Sequence, residues 1–172
     1  MQNRISIVQS PIDQQKFVIL DAPTEETLPD YLDTLLDQNV TEIVRICDRR
    51  IGNTYNADDL QKRTGIKVID DITFEDGGVP STETVDRWLT LTHSAKERGT
   101  AIAVHCVAGI GRAPVLVTLS LVESGMDPLD AIEYIRKHRR GALNRNQLRY
   151  IDSYKSRRRK SKGLSNWFKF LN

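Results

Sequence analysis

The amino-acid sequence predicts an α/β domain in which a central, mostly parallel sheet is flanked by helices. The first observation behind this prediction is that short apolar runs rich in β-branched residues alternate with segments of helical periodicity. The second is that 172 residues, 39% hydrophobic and 28% charged, suit one domain with its own core. The third is that one apolar run leads through a glycine-containing loop directly into a helix.

Five short strands are predicted from runs of apolar and β-branched residues. The first two, Ile5–Val8 and Phe17–Leu20, are close enough in sequence to pair as a hairpin. The other three are Ile43–Cys47, Ile66–Ile69 and Ala101–Val104, and each follows a helical segment. Because the carboxyl ends of parallel strands meet at one edge, the residues after these strands are expected to lie close together.

Six helices are predicted from apolar spacing, from capping residues at their starts and from glycine or asparagine at their ends. They cover 28–36 with a stop at Asn39, Asn56 to Gly65, Ser81 to about Arg98, Ala113–Glu123, a helix that begins at Asp127 and Pro128, and roughly Asn146–Lys155. A loop rich in glycine and acidic residues, Asp71 to Pro80, connects a strand to a helix.

Cysteine and histidine usage excludes several classes of protein. The two cysteines, Cys47 and Cys106, do not make a secreted disulfide framework, and with three scattered histidines no structural zinc is expected. The first residues lack the layout of a signal peptide, and no window reaches the ~18–20 apolar residues of a membrane-spanning helix. We therefore expect a reducing, cytoplasmic setting.

Charge is distributed unevenly along the chain. The net charge is +2, yet residues 155–172 hold seven Lys or Arg and no acid, whereas 1–154 hold 18 basic and 23 acidic residues. We therefore divide the chain into a domain over 1–154 and a basic-aromatic tail over 155–172. An acidic domain without a recognisable nucleic-acid motif makes nucleic acid an unexpected partner.

The stretch AVHCVAGIGRA, from Ala103 to Ala113, carries the strongest chemical signal. A tight loop before a helix points backbone N–H groups at one spot and adds the positive end of the helix dipole, which suits a dianion such as phosphate. The same surroundings favour the thiolate of Cys106, which is its nucleophilic form. Arg112 offers a planar fork that can hold two phosphate oxygens.

The neighbours of Cys106 agree with this interpretation. Gly109 and Gly111 allow the backbone to turn its N–H groups inward. His105 is expected to hold the loop through hydrogen bonds, since a thiolate needs no base. The alternative is a buried cysteine in an ordinary turn before a helix, which leaves the position of Arg112 unexplained.

The string HCVAGIGR, from His105 to Arg112, matches the HCxxGxxR signature of protein tyrosine and dual-specificity phosphatases. The longer string HCVAGIGRAPVLV closely resembles the phosphatase-of-regenerating-liver (PRL) family, also called the type IVA protein tyrosine phosphatases. The resemblance covers about residues 15–155 and includes TEIVRIC, FEDGGVPS and RRGALNRNQL. It implies the Cys-based phosphatase fold and hydrolysis of phosphate monoesters through a phosphocysteine intermediate, with no cofactor and no metal.

The resemblance also implies roles for individual residues. The catalytic set is Cys106 as nucleophile, Arg112 as phosphate ligand and Asp76 as general acid, with Glu75 as the competing carboxylate. A loop carboxylate beside two glycines is placed to move over a bound substrate. The phosphate-binding residues are Val107, Ala108, Gly109, Ile110, Gly111 and Arg112, with His105 and Ala113 in supporting positions.

Two further positions carry implications of the resemblance. Most phosphatases of this kind have Ser or Thr after the signature arginine, and its hydroxyl helps the cysteine sulfur to leave; Ala113 lacks it, which implies slow turnover. Cys47 matches the family's second cysteine, which implies a reversible disulfide with Cys106 that protects the thiolate from irreversible oxidation. By position alone, Cys47 is an ordinary cysteine at a strand end.

The resemblance leaves a second function open. PRL proteins bind CNNM-type magnesium-transport proteins through the face that carries the active site, so the chain could act as a pseudo-phosphatase-like module that docks an acidic loop. A lipid or RNA phosphatase is a weaker alternative, because the segment from Val107 to Gly111 holds no basic residue.

The tail departs from the family pattern. Family members normally end in a prenylated cysteine box after basic residues, whereas 155–172 holds basic residues and no cysteine. Basic residues followed by Trp167, Phe168 and Phe170 suit an anionic membrane surface, and the same run resembles a nuclear-localisation signal. We therefore expect a cytoplasmic protein, either peripheral on the inner membrane face or also nuclear.

Overall fold

Within residues 4–46 and 54–157, which the computed structural model describes, five strands and six helices follow one another along the chain. The strands are β1 (Ile5–Gln9), β2 (Lys16–Leu20), β3 (Val40–Arg45), β4 (Lys67–Ile69) and β5 (Ala101–His105). The helices are α1 (Pro29–Asp37), α2 (Ala57–Thr64), α3 (Thr82–Arg98), α4 (Arg112–Ser124), α5 (Pro128–His138) and α6 (Arg145–Ser153). In this part of the chain, no helix has both the length and the apolar character needed to cross a membrane.

The strands form one sheet in the order β1-β2-β5-β3-β4. β1 and β2 pair antiparallel, as predicted for the hairpin, and the other neighbours pair parallel. The hairpin is closed by the N–H of Ser10, which donates to the carbonyl of Gln15 (2.8 Å). The predicted α/β class, with a mostly parallel sheet flanked by helices, is confirmed.

The third strand differs from its prediction. The sequence predicts a strand over Ile43–Cys47, whereas β3 starts three residues earlier and ends at Arg45. It starts earlier because Asn39, with φ of 58°, turns the chain directly from α1 into the sheet. It ends at Arg45 because that residue lies opposite His105, after which β5 leaves the sheet. Cys47 lies outside the described residues.

The helix boundaries follow capping side chains. Ser81 and Asp127 cap α3 and α5 as predicted. The last helix is predicted over 146–155, but the side chain of Asn144 accepts the N–H of Gln147, so the cap lies two residues before the predicted start. The helix also ends earlier, because Tyr154 adopts an extended backbone with ψ of 128°.

Helix α4 runs through the interior of the domain. All residues from Arg112 to Val122 are buried, and α3, α5 and α6 contact the same helix. Trp88 of α3 is fully buried against it and donates its indole N–H to the Ser120 hydroxyl (2.9 Å). A helix that is enclosed on all sides belongs to the core, so the position of its first turn is fixed by packing.

Residues 154–157, which we call the C-terminal strap, are held at the far end of α4. Glu123 accepts hydrogen bonds from the hydroxyls of Tyr154 (2.6 Å) and Ser156 (2.9 Å) and from the N–H of Arg157 (2.9 Å). Burial and the Glu123 carboxylate raise the pKa of Tyr154. The boundary between the domain and the tail stays a prediction, since 158–172 lie outside the described residues.

Candidate active site

The segment from Cys106 to Gly111, which we call the Cys106 loop, joins the end of β5 to the start of α4. β5 is buried along its whole length, and Cys106 is buried where the strand ends. Gly111 occupies the N-cap position of α4 without a side-chain cap, so the first N–H groups of the helix are left for a ligand.

Two ends of the Cys106 loop are tied to neighbouring backbone. The N–H of Ala22, just after β2, donates to the carbonyl of Val107 (2.9 Å). The N–H of Leu143, just before α6, donates to the carbonyl of Ile110 (2.8 Å). Both carbonyls therefore point away from the centre of the loop.

A buried arginine braces the middle of the loop. Arg139 donates to the carbonyls of Gly109 (2.9 Å) and Ala108 (3.2 Å) and to the hydroxyl of Ser6 (3.2 Å). It is 4% exposed, and burial lowers the pKa of its guanidinium. Because C=O and N–H of a trans peptide point in opposite directions, the four outward carbonyls turn the N–H groups of residues 108–111 towards the centre of the loop.

Gly109 lies where the loop passes closest to the sheet. Its φ is 68°, in the region that favours glycine. A Cβ at this position would lie 2.4 Å from the carbonyl oxygen of Leu20 and 2.5 Å from Nη2 of Arg139. Conformation and space therefore both require glycine at this position.

His105 supports the base of the loop as a neutral side chain. Its Nδ1 lies 3.1 Å from the carbonyl oxygen of Cys106, and its Nε2 lies 2.8 Å from the hydroxyl of Tyr55. Burial lowers the pKa of His105 to about 4, so the ring is neutral at pH 7. Nδ1 therefore donates to the carbonyl, and Nε2 accepts from the tyrosine.

Arg112 and Asp76 meet at the open side of the loop. Arg112 is 7% exposed, and its Nε lies 3.7 Å from Oδ1 of Asp76. Its Nη1 donates to the carbonyl of Phe74 (3.5 Å), whereas Nε makes no hydrogen bond to any residue that the structure describes. A buried guanidinium N–H without an acceptor is costly, and an anion bound beside it would supply one.

Asp76 and the Cys106 loop line one cavity of about 360 Å³, and Arg112 lies beside it through its contact with Asp76. Its lining includes Asp76, Cys106, Gly111, Leu143 and Gln147. The Asp76 side chain is 88% exposed at the mouth of this cavity, while the cysteine lies buried at its base. Inward N–H groups and a guanidinium suit a bound dianion, and an exposed carboxyl beside them suits proton transfer.

Asp76 belongs to a tight turn, Glu75–Gly78, which we call the Asp76 turn. The N–H of Gly78 donates to the carbonyl of Glu75 (2.9 Å), and Gly77 adopts a φ of 72°. Side chains of α6 bind the outside of this turn: Asn144 donates to the carbonyl of Gly77 (3.0 Å), and Gln147 donates to that of Gly78 (3.1 Å).

The structure places the predicted Cys106 and Asp76 in the lining of one cavity, and the Asp76 carboxyl faces the predicted Arg112 at 3.7 Å. The partner proposed for the cysteine, Cys47, lies outside the described residues. The sequence does not single out four residues that shape the site: Tyr55, Arg139, Asn144 and Gln147. An asparagine followed three residues later by glutamine is a capping-box pattern, so the last two carried a readable signal.

Comparison with known proteins identifies the family. A family profile described as "Tc-R-P: Polymorphic toxin system, DSP-PTPase phosphatase" matches residues 8–126. A probable protein tyrosine phosphatase type IVA A from Dictyostelium discoideum is 42% identical over 163 residues, which are 94% of this chain and 93% of that protein. The chain belongs to the type IVA protein tyrosine phosphatases. Human protein tyrosine phosphatase type IVA 3 is 42% identical over 91% of this chain and 88% of that protein.

Solved structures agree with this assignment. A putative protein tyrosine phosphatase from Leishmania major has 38% identity and a TM-score of 0.75, covering 89% of this chain and 99% of that one. The kinase associated phosphatase, at 19% identity and a TM-score of 0.72 over 88% of this chain and 93% of that one, shares the fold. The predicted Cys-based phosphatase fold and protein tyrosine phosphatase function of this type IVA phosphatase are thus confirmed.

Proposed function

We propose that this type IVA phosphatase cleaves phosphate monoesters with Cys106 as nucleophile and Asp76 as general acid and base. In the first step the Cys106 thiolate attacks phosphorus, the bond to the leaving oxygen breaks, and Asp76 gives that oxygen its proton. In the second, water attacks the phosphocysteine, Asp76 takes the water's proton, and the thiolate leaves as inorganic phosphate is released.

The observation that carries this proposal is the unsatisfied Nε of Arg112. This buried donor lies 3.7 Å from the carboxyl of Asp76, and Asp76 lines one cavity together with the buried Cys106. The guanidinium and the N–H groups of residues 108–111 would hold the equatorial oxygens, whose charge they stabilise in the transition state. His105 is left to support the loop, because its ring nitrogens are engaged with Tyr55 and the Cys106 carbonyl.

Single-turnover kinetics with a phosphotyrosine peptide test these roles. The wild-type protein should accumulate a species heavier by one phosphoryl group, and Cys106→Ser should not. Asp76→Ala should slow formation of that species by about 100-fold, the usual scale of general acid catalysis. A Cys106→Ser variant that still releases phosphate would contradict the proposal.

Slow turnover is part of the same proposal. Ala113, fully buried in the first turn of α4, has no hydroxyl to offer the departing sulfur. Ala113→Ser should therefore raise steady-state turnover of a small aryl phosphate while the rate of phosphocysteine formation stays the same. Unchanged or lower turnover in a folded Ala113→Ser variant would contradict the explanation that the missing hydroxyl slows turnover.

We infer that the substrates are phosphorylated proteins. The relatives are named protein tyrosine phosphatases, and segment 107–111 offers no basic side chain to a polyanionic lipid headgroup. Val107, 49% exposed at the cavity, supplies an apolar surface that suits an aromatic ring. Phosphotyrosine peptides should be dephosphorylated faster than phosphoinositide vesicles, and the reverse order would reject this substrate class.

A second candidate function is the docking of an acidic loop of a CNNM-type magnesium-transport protein. The unsatisfied Nε of Arg112 favours it, because a carboxylate can accept the same hydrogen bonds as a phosphate. Titration calorimetry with the acidic-loop peptide should show binding that Arg112→Lys weakens at least tenfold. Equal binding by the wild-type protein and the Arg112→Lys variant would contradict docking at this cavity.

Two further proposals concern Cys47, which lies outside the described residues, and the tail 155–172, of which only 155–157 are described. A reversible Cys47–Cys106 disulfide should appear by intact mass after peroxide treatment and be absent in Cys47→Ser. The tail should hold the cytoplasmic protein at an anionic membrane surface, so deletion of 155–172 should abolish co-sedimentation with phosphatidylserine liposomes. Equal sedimentation with and without the tail would reject the tail as the membrane contact.

A further inference from the structure

We propose that Asn144 and Gln147 are positioning residues that hold Asp76 over the Cys106 loop. Both lie at the start of α6, outside the set of residues predicted for the chemistry. The proposal rests on the role of Asp76 as general acid given above. On this proposal, the position of Asp76 relative to the Cys106 loop is set by two side-chain amides of α6, a helix that carries no reacting group.

Each of these amides binds the helix with its oxygen and the Asp76 turn with its nitrogen. The oxygens form the capping box of α6: Oδ1 of Asn144 accepts the N–H of Gln147 (2.8 Å), and Oε1 of Gln147 accepts the N–H of Asn144 (3.0 Å). The nitrogens donate to consecutive carbonyls after Asp76, those of Gly77 (3.0 Å) and Gly78 (3.1 Å). The helix start and the turn are thereby joined as one unit.

The same helix start is fixed to the phosphate-binding side of the cavity. Leu143, next to Asn144, donates its N–H to the carbonyl of Ile110 in the Cys106 loop (2.8 Å). Gln147 is fully buried, and its Nε2 lies 3.5 Å from where a Cβ of Gly111 would be. Consecutive residues therefore contact the loop and the turn, so α6 sets the distance between the acid and the bound phosphate.

The Asp76 turn depends on these contacts because it has few others. Its internal hydrogen bond, from Gly78 to Glu75, fixes the shape of the turn but not its position relative to the Cys106 loop. The ion pair to Arg112 spans 3.7 Å and involves a side chain that is 88% exposed. Across residues 4–46 and 54–157, the side-chain hydrogen bonds recorded to the backbone of this turn come from Asn144 and Gln147.

Two substitutions separate positioning from helix capping. Asn144→Ser keeps an oxygen that caps α6 but loses the donor to Gly77, and Gln147→Met loses the donor to Gly78 without adding a charge to the cavity, while the N-cap bond to the N–H of residue 147 stays. A matched control is Asn56→Ser, since Asn56 caps α2 in the same way, accepting the N–H of Asp59 (2.9 Å). It does so away from the cavity.

The readout is the rate of phosphocysteine formation with two leaving groups, measured by rapid quench at saturating substrate. Phenyl phosphate needs the acid because its phenolate is basic, whereas 2,4-dinitrophenyl phosphate leaves without a proton. The double variant Asn144→Ser/Gln147→Met should slow the phenyl ester by about tenfold or more and the dinitrophenyl ester by less than about twofold. Asn56→Ser should change neither rate.

The outcomes are distinguishable. An equal loss with both esters, or a large drop in thermal stability, would make the two amides structural and overturn the proposal. Full activity of the double variant with phenyl phosphate would overturn it as well. Asp76→Asn is the reference variant. If it slows the phenyl ester selectively and the double variant does not, the positioning role of the two amides is rejected while Asp76 remains the general acid. If Asp76→Asn also lacks selectivity, the general acid assignment fails with it.

Discussion

The Cys106 loop and the Asp76 turn face one cavity but are held in different ways. The loop is bound by Ala22 after β2, by Arg139 after α5 and by Leu143 before α6, and it continues into the buried helix α4. The turn is bound from outside by two side-chain amides of α6, and Asp76 itself is largely exposed. The phosphate-binding part therefore belongs to the core, whereas the proton-donating part is attached to it.

This difference means that the two halves of the chemistry can be damaged separately. A change in the support of the Cys106 loop should lower the free energy of unfolding and slow reaction with every substrate. A change in the Asp76 turn should leave folding nearly intact and slow only substrates whose leaving group needs a proton. Four substitutions test this contrast, and the first two are each paired with a control variant.

The largest effect is expected from Arg139→Met. The carbonyls of Ala108 and Gly109 lose a charged donor, and hydrogen bonds of that kind contribute ~1.5–3 kcal/mol each. We expect urea denaturation to show a loss of about 4 kcal/mol, and kcat/KM to fall alike for phenyl and dinitrophenyl phosphate. The stability control is Arg140→Met at the exposed neighbour. A similar loss of unfolding free energy in Arg139→Met and Arg140→Met would contradict the supporting role of Arg139.

Gly109→Ala should follow, with a loss of about 3 kcal/mol, because its Cβ would overlap the Leu20 carbonyl and Arg139. Gly99→Ala is the control, since Gly99 also has a positive φ, 69°, but has open space around its Cβ position. That variant should lose about 1 kcal/mol from backbone strain alone. Equal denaturation midpoints for the two variants would show that the close approach does not matter.

His105→Asn should change how stability depends on pH. Burial lowers the pKa of His105 to about 4 from 6.5, so between these values the unfolded chain binds the extra proton. The neutral ring's contribution is fully present above pH 6.5 and is lost as the pH falls to 4, up to about 3 kcal/mol. The variant should therefore lose less stability than wild type over this range. Parallel curves of unfolding free energy against pH for the two proteins would contradict the lowered pKa of His105.

Gly77→Ala should have the smallest effect on folding. Gly77 has a positive φ of 72°, but its Cβ would meet only Nδ2 of Asn144, at 3.4 Å, which is the end of a flexible side chain. The expected cost is about 1 kcal/mol. Phosphocysteine formation should slow with phenyl phosphate and not with dinitrophenyl phosphate. A stability loss as large as that of Gly109→Ala would erase the contrast between the loop and the turn.

The parts of the site that follow one strand could be predicted from sequence. The run Ala101–Val104, the two glycines of the loop and the apolar helix after Arg112 are local signals, and the structure has the strand, the loop and the helix in that order. Asp76 depended on family resemblance, because an acidic residue in a glycine-rich loop is ordinary by itself. The end of β3 could not be predicted, since it depends on where a distant strand, β5, stops.

The supports of the site were the hardest to predict. Arg139 stands among five consecutive basic residues, 136–140, and local sequence gives no means of telling which one turns inward. Its burial is a property of tertiary packing, because the acceptors come from the Cys106 loop and from Ser6. Asn144 and Gln147 carry a capping pattern, but their second contacts, to the Asp76 turn, involve residues more than sixty positions away.

The two ends of the described chain lie at different distances from the cavity. At the start, Ile5 pairs with Leu20 and the carbonyl of Arg4 accepts the N–H of Asp21, beside the Cys106 loop. At the other end, Glu123 holds the C-terminal strap at the last turn of α4, thirteen residues long, whose first turn follows the Cys106 loop. A change in the pairing of β1 with β2 therefore acts next to the Cys106 loop, whereas a change in the strap acts at the opposite end of the buried helix α4.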